Sequence, residues 1–138
     1  MSPYMTSIVG TLRDIRDIQI VVFAPTVNTA TGNGKAFFHV PASMDGFILT
    51  GTHVEVITAG TTGTLDVMVH NVDKTQDMLS TVLTVDTGET GSDTAATAAV
   101  INASQDDIST NDVIRVDVDA VHTTPAIGLL LTLTFERS

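Results

Sequence analysis

The chain has no cysteine and no tryptophan, and lysine occurs only at Lys35 and Lys74. Without cysteine, stability has to come from packing or from oligomerisation rather than from disulfides. Aromatic residues make up 4% of the sequence, which argues against the aromatic platforms of sugar-binding clefts. The start of the chain lacks the charged and apolar segments of a secretion signal. Apolar runs such as Ala126–Leu131 and Ile18–Pro25 are far too short to span a bilayer, so no membrane partner is expected.

Charge is scarce and one-sided. Six basic residues face sixteen acidic ones, a net charge of -10 over 138 residues. Residues 1–35 hold Arg13, Arg16 and Lys35 against Asp14 and Asp17, so the acid excess lies in the rest of the chain. Such a surface repels phosphate backbones, and no nucleic-acid partner is expected.

What the sequence does have is alternation. His53-Val54-Glu55-Val56, Leu65–His70 and Ile114–Asp119 each run apolar/polar with a period of two or nearly so. That period marks half-buried antiparallel strands. Threonine, valine and isoleucine are abundant, and β-branched side chains favour pleated sheets over helices. Strands are expected at Ala36–Val40, Phe47–Ala59 (one bent strand or two), Thr64–Val72, Thr81–Asp86, Ala98–Ile101, Asp112–Val121 and Gly128–Glu136. In the last of these, Leu129, Leu131, Leu133 and Phe135 share one face, and Leu130, Thr132, Thr134 and Glu136 the other. The main helical candidate in this body is Lys74–Leu79.

The predicted architecture is all-β: an antiparallel β-sandwich, jelly-roll-like, with an irregular N-terminal arm. Two regions are expected, an arm and loop over 1–35 and a sandwich over 36–138. In the arm, Leu12, Ile15 and Ile18 fit a short amphipathic helix, while Ile18–Ala24 reads equally well as a strand ended by Pro25. Thr26–Lys35 reads as a loop or long hairpin tip.

Chemical motifs are thin. No serine elbow, phosphate loop or dinucleotide fingerprint is present. Gly32-Asn33-Gly34-Lys35 reads as a turn, since Thr29 and Ala36 replace the phosphate loop's first glycine and its hydroxyl residue. His39, His53, His70 and His122 show no metal-ligand spacing and read as surface or rim side chains. Asp117 and Asp119 point the same way on one strand, with Asp106, Asp107 and Asp112 just before it. Calcium is a minor alternative there, without the EF-hand spacing. The expectation is no catalytic residues, no metal, no cofactor and no enzymatic activity.

The stretches GKAFFHVP (34–41), VITAGTTGTLDVMVHNV (56–72), DMLST (77–81) and IRVDVDAVHTTPAIGLLLTLTF (114–135) resemble small proteins encoded in tailed-phage genomes. The likeness runs from Gly34 to the C-terminus. It implies a virion structural component, a capsid decoration or cement protein, made in the host cytoplasm and located on the capsid surface. The implied partners are the major capsid protein and further copies of the chain. Ile8, Val9, Leu12, Arg13, Ile15, Arg16 and Ile18 of the arm are the expected partner-binding residues. Removal of residues 1–18 is then expected to abolish shell binding and leave the body folded. The alternative is a receptor- or carbohydrate-binding module of a phage tail or fibre.

Overall fold

The computed structural model describes residues 14–138. Among these residues ten strands follow one another: β1 (Ile15–Asn28), β2 (Gly32–His39), β3 (Phe47–Glu55), β4 (Leu65–Asn71), β5 (Gln76–Asp77), β6 (Leu79–Thr81), β7 (Leu83–Val85), β8 (Val100–Ile101), β9 (Val113–Ala120) and β10 (Ile127–Arg137). The only helical pieces among the described residues are two three-residue 3-10 turns. The first sheet has the order β1-β10-β3. The second runs β2-β9-β4, with β5 and β7 both paired to β4, and β6 pairs β8 in a small ladder. Every pairing is antiparallel.

The chain alternates between the sheets: β1 to β2, β2 to β3, β3 to β4 and β9 to β10 all cross over. This interleaving of 1-10-3 with 2-9-4 is jelly-roll order. The fold is thus the antiparallel β-sandwich that the composition and alternation predict.

The period of two holds in detail. Along β4, Leu65, Val67, Val69 and Asn71 are buried, and the residues between them only half so. Along β10, Leu129, Leu131, Leu133 and Phe135 face the core, as expected. They meet Ile114, Val116 and Val118 of β9 and Leu65, Val67 and Val69 of β4 in one cluster. Each such side chain contributes about 1.5–3 kcal/mol when fully buried. Phe38 of β2 and Phe135 of β10 tie the layers edge to face, with centroids 5.8 Å apart.

Residues 15–28 and 32–35 of the expected arm enter the sheets, and residues 1–13 lie outside the described residues. Ile15–Ile18 is strand, not helix, and pairs with Glu136–Leu133 of β10. The strand continues through Pro25 to Asn28. It can do so because the ladder with β10 is interrupted between Phe23 and Asn28, so the missing Pro25 N–H costs no pair. The bond pair from Arg137 Nε and Nη2 to Asp14 Oδ2, at 2.9 and 2.7 Å, clamps the start of β1. That guanidinium holds the Asp14 carboxyl below its ordinary range.

Two further expectations are corrected. Lys74–Leu79 is a turn followed by β5 and the start of β6, with Thr75 at φ 53°, outside the helical region. The β2 strand begins at Gly32, inside the expected loop. Gly34 at φ 71° supplies a bulge that lets the strand start early.

Candidate docking face

On β1, Ile18, Ile20 and Val22 turn inward. Ile15, Asp17, Gln19 and Val21 therefore point out, by the alternation of a strand. Register extends these positions into rows across the first sheet. Val21 lies beside Leu130 and Glu55, Gln19 beside Thr132 and His53, and Asp17 beside Thr134 and Gly51. Two of the rows are stitched by side chains: Thr134 Oγ1 donates to Asp17 Oδ1 at 2.7 Å, and Gln19 Nε2 to Thr132 Oγ1 at 3.4 Å.

At one end of this face the surface sinks into an apolar groove. Val21, Phe23, Pro25, Val56, Ile57, Leu129 and Leu130 line it, with Glu55 at its margin. Val21 and Ile57 on its walls are 63% and 67% exposed, unusually open for side chains this apolar. Gly128 makes the groove. It sits at φ 75°, and a Cβ there would come within 3.0 Å of Ile57 and 3.2 Å of Pro25 Cα. β1 is also an edge strand, so one side of its backbone faces no other strand among the described residues.

The expected binding residues divide. Ile8, Val9, Leu12 and Arg13 lie outside the described residues. Ile15 is 53% exposed and projects from the face. Ile18 packs against the protein's own core. Arg16 lies 5.8 Å from the Phe47 ring, with Arg137 at 5.1 Å from the same ring. Truncation at residue 18 would therefore remove part of the sandwich, and a deletion that spares it stops at Arg13. Sequence reasoning missed Val21, Phe23, Pro25, Ile57 and Gly128. The one signal for the first three was the strand reading of Ile18–Ala24.

Beside the groove, β3 alternation puts His53 and Glu55 on the outer face. His53 Nε2 lies 2.8 Å from Glu55 Oε1. The Glu55–Gly91 bridge lays the 91–93 segment along β3 and brings Asp93 next to both. Ser92 Oγ accepts the Val54 N–H at 3.0 Å and lies 3.4 Å from His53 Nδ1. Hydroxyl, imidazole and carboxylate in that order also describe an activated serine. Here the ring–hydroxyl distance, 3.4 Å, is long for a nucleophile and its base.

The other candidates serve structure. Asp107 accepts from Lys74 Nζ at 2.7 Å, which holds its carboxyl below the ordinary range. Asp112 is buried and accepts from Asn71 and Ser109. Asp117 is buried, gripped by Arg115 at 2.7 and 2.9 Å and by the Gly34 N–H at 2.8 Å. His39 pairs with Asn111, and His70 with Asp77. His122 is buried, not on the surface or rim as expected, with both ring nitrogens unpartnered and its ring against Gly60.

Asp119 stands apart. Its carboxyl stays exposed, yet lost hydration beside β9, then the charges of Asp117, Asp66 and Asp77, push it above the ordinary value. The unfolded chain gives up this proton at lower pH than the folded one. Stability therefore falls as pH rises through the folded value. Asp119→Asn should melt higher than the parent at neutral pH and match it near roughly pH 3, where both forms carry the proton. Paired thermal melts at the two pH values check this, and a lower melting point for the variant at neutral pH would contradict it.

Among the described residues no helix is long and apolar enough to cross a membrane. No protein-family model, curated protein or solved structure matches the chain.

Proposed function

We propose that the protein is a virion structural protein of the decoration or cement type, docking on the major capsid shell through the outer face of its first sheet. The observation that carries this reading is the groove at the open β1 edge, with Val21 and Ile57 standing exposed on its walls. Burying them against a partner gains hydrophobic free energy at little cost in reorganisation, because the groove is already formed. Glu55 at the margin suits a partner segment that carries apolar side chains and a neighbouring lysine or arginine. The resemblance of Gly34–Phe135 to tailed-phage proteins supports a shell as that partner. Binding to a preformed shell stabilises it by mass action. A homo-oligomer would present several such faces together and multiply the effect. The protein acts by docking and not by turnover.

The test is co-sedimentation with purified, undecorated capsids. Val21→Lys combined with Ile57→Lys should melt like the parent, since both positions are exposed, and should bind shells at least about tenfold more weakly. Unchanged binding by the double variant would overturn the reading. A parent protein that ignores shells but binds a glycan surface would favour a tail or fibre receptor module instead.

A further inference from the structure

We infer that His53, Glu55 and Asp93 form a binding site for one divalent transition-metal cation, of which zinc(II) is the best-suited example. The inference goes beyond the docking role and does not depend on it.

Three observations converge. The first is the donor set. An imidazole nitrogen and two carboxylate oxygens lie within 4.8 Å of one another at the outer end of β3. These are ligand types that zinc(II) takes, at about 2.0–2.2 Å from the metal. Tetrahedral ligands at that distance stand about 3.3 Å apart, so modest rotation of exposed side chains closes the set.

The second is Gly91. Its φ of -134° is ordinary extended backbone, so nothing about the main chain requires glycine there. Space does. A Cβ on Gly91 would collide with Asp93 Oδ1, come within 2.8 Å of Glu55 Oε1 and within 3.4 Å of His53 Cε1. The missing side chain is what lets the three donors converge.

The third is the set of hydrogen bonds around the imidazole. Ser92 Oγ lies on the Nδ1 side of His53, and its position is fixed by the Val54 N–H. When Nδ1–H donates to that oxygen, the lone pair on Nε2 faces the Glu55 carboxylate 2.8 Å away. Lone pair against anion is repulsive unless a proton or a cation sits between them. A metal cation meets that need and also offsets the repulsion between the Glu55 and Asp93 carboxylates. An oxygen beside the far ring nitrogen, here Ser92 Oγ at 3.4 Å, is the usual neighbour of a ligating histidine. Three protein ligands leave a fourth position open to water or to a docked partner.

Isothermal titration of the chelator-treated full chain with zinc chloride at neutral pH tests the site, with no capsid in the cell. The expected result is one saturable site per chain and a higher melting temperature with zinc. His53→Asn and Asp93→Asn should each weaken binding at least about tenfold. Gly91→Ala should do the same although it removes no ligand. Asp93 is exposed, so its variant keeps the test valid even where another variant melts early. No saturable binding by the parent, or equal affinity in the Asp93 variant, would overturn the inference. The docking role is judged separately, by the co-sedimentation assay.

Discussion

Leu133→Asp should give no folded protein, while Thr132→Asp, one residue earlier, should fold and melt close to the parent. Leu133 is fully buried at the middle of β10, the central strand of the first sheet. It lies between Ile18 of β1 and Thr52 of β3, with its side chain in the core shared with the second sheet. Losing a buried leucine costs about 2–5 kcal/mol by itself. An aspartate there adds an unpaired carboxylate, or a proton forced onto it, for several kcal/mol more. The sum approaches the whole stability of a domain, about 5–15 kcal/mol. Thr132 points to the outer face beside Gln19 and His53, where an added charge stays near water. Its effect should stay within about 1 kcal/mol. Soluble yield and thermal melts of the two variants read the result. A soluble Leu133→Asp melting like the parent would show that the sheet faces are assigned the wrong way round.

Asp112→Ala should lose about 3 kcal/mol of stability without touching the docking face. The Asp112 carboxylate accepts from Asn71 Nδ2 at 2.9 Å and from the Ser109 N–H at 3.0 Å, with Lys74 Nζ at 3.7 Å. Its own carbonyl receives the Val40 N–H. One buried side chain thus joins the end of β4 to the loop that leads into β9. Truncation strands a buried amide and a backbone N–H, each costing about 1–3 kcal/mol when left unpaired. Asp112→Asn keeps the shape and one acceptor oxygen, so it should recover part of the loss. Urea titration of the three proteins measures the differences through their midpoints. A shift under about 0.5 kcal/mol for Asp112→Ala would mean that the network is not structural.

The parts of the fold written in short-range pattern were legible. The LLLTLTF run of β10 shows both of its faces, and LDVMVH and IRVDVD read directly as strands. What depended on long-range pairing was not. Pro25 reads as a stop, yet it falls where the β1–β10 ladder is already broken, so the strand passes through it. TGNGK reads as a loop tip, yet the turn comes earlier, and Gly34 serves as a bulge within β2. Lys74–Leu79 reads as a helical candidate, but the sharp return from β4 to β5 overrides it.

The candidate sites were less legible for the same reason. The groove joins Val21 and Phe23 to Ile57 and to Gly128–Leu130, segments far apart in sequence that meet only through sheet order. The His53–Glu55 pair is visible as alternation. Its third member, Asp93, arrives through the Glu55–Gly91 bridge, which no local spacing announces. Of the expected arm residues that the structure describes, Ile18 packs against the protein's own core and Arg16 lies by the Phe47 ring, while Ile15 stays exposed; strand pairing with β10, not local periodicity, decides which way each one faces.

The most direct measurement is electron cryo-imaging of capsids reconstituted with the protein, at a resolution that separates strands. The β1-β10-β3 face should lie against the shell, with Val21 and Ile57 seated in the contact. Shells that stay bare, or subunits bound through the opposite sheet where Phe37 is 67% exposed, would contradict it.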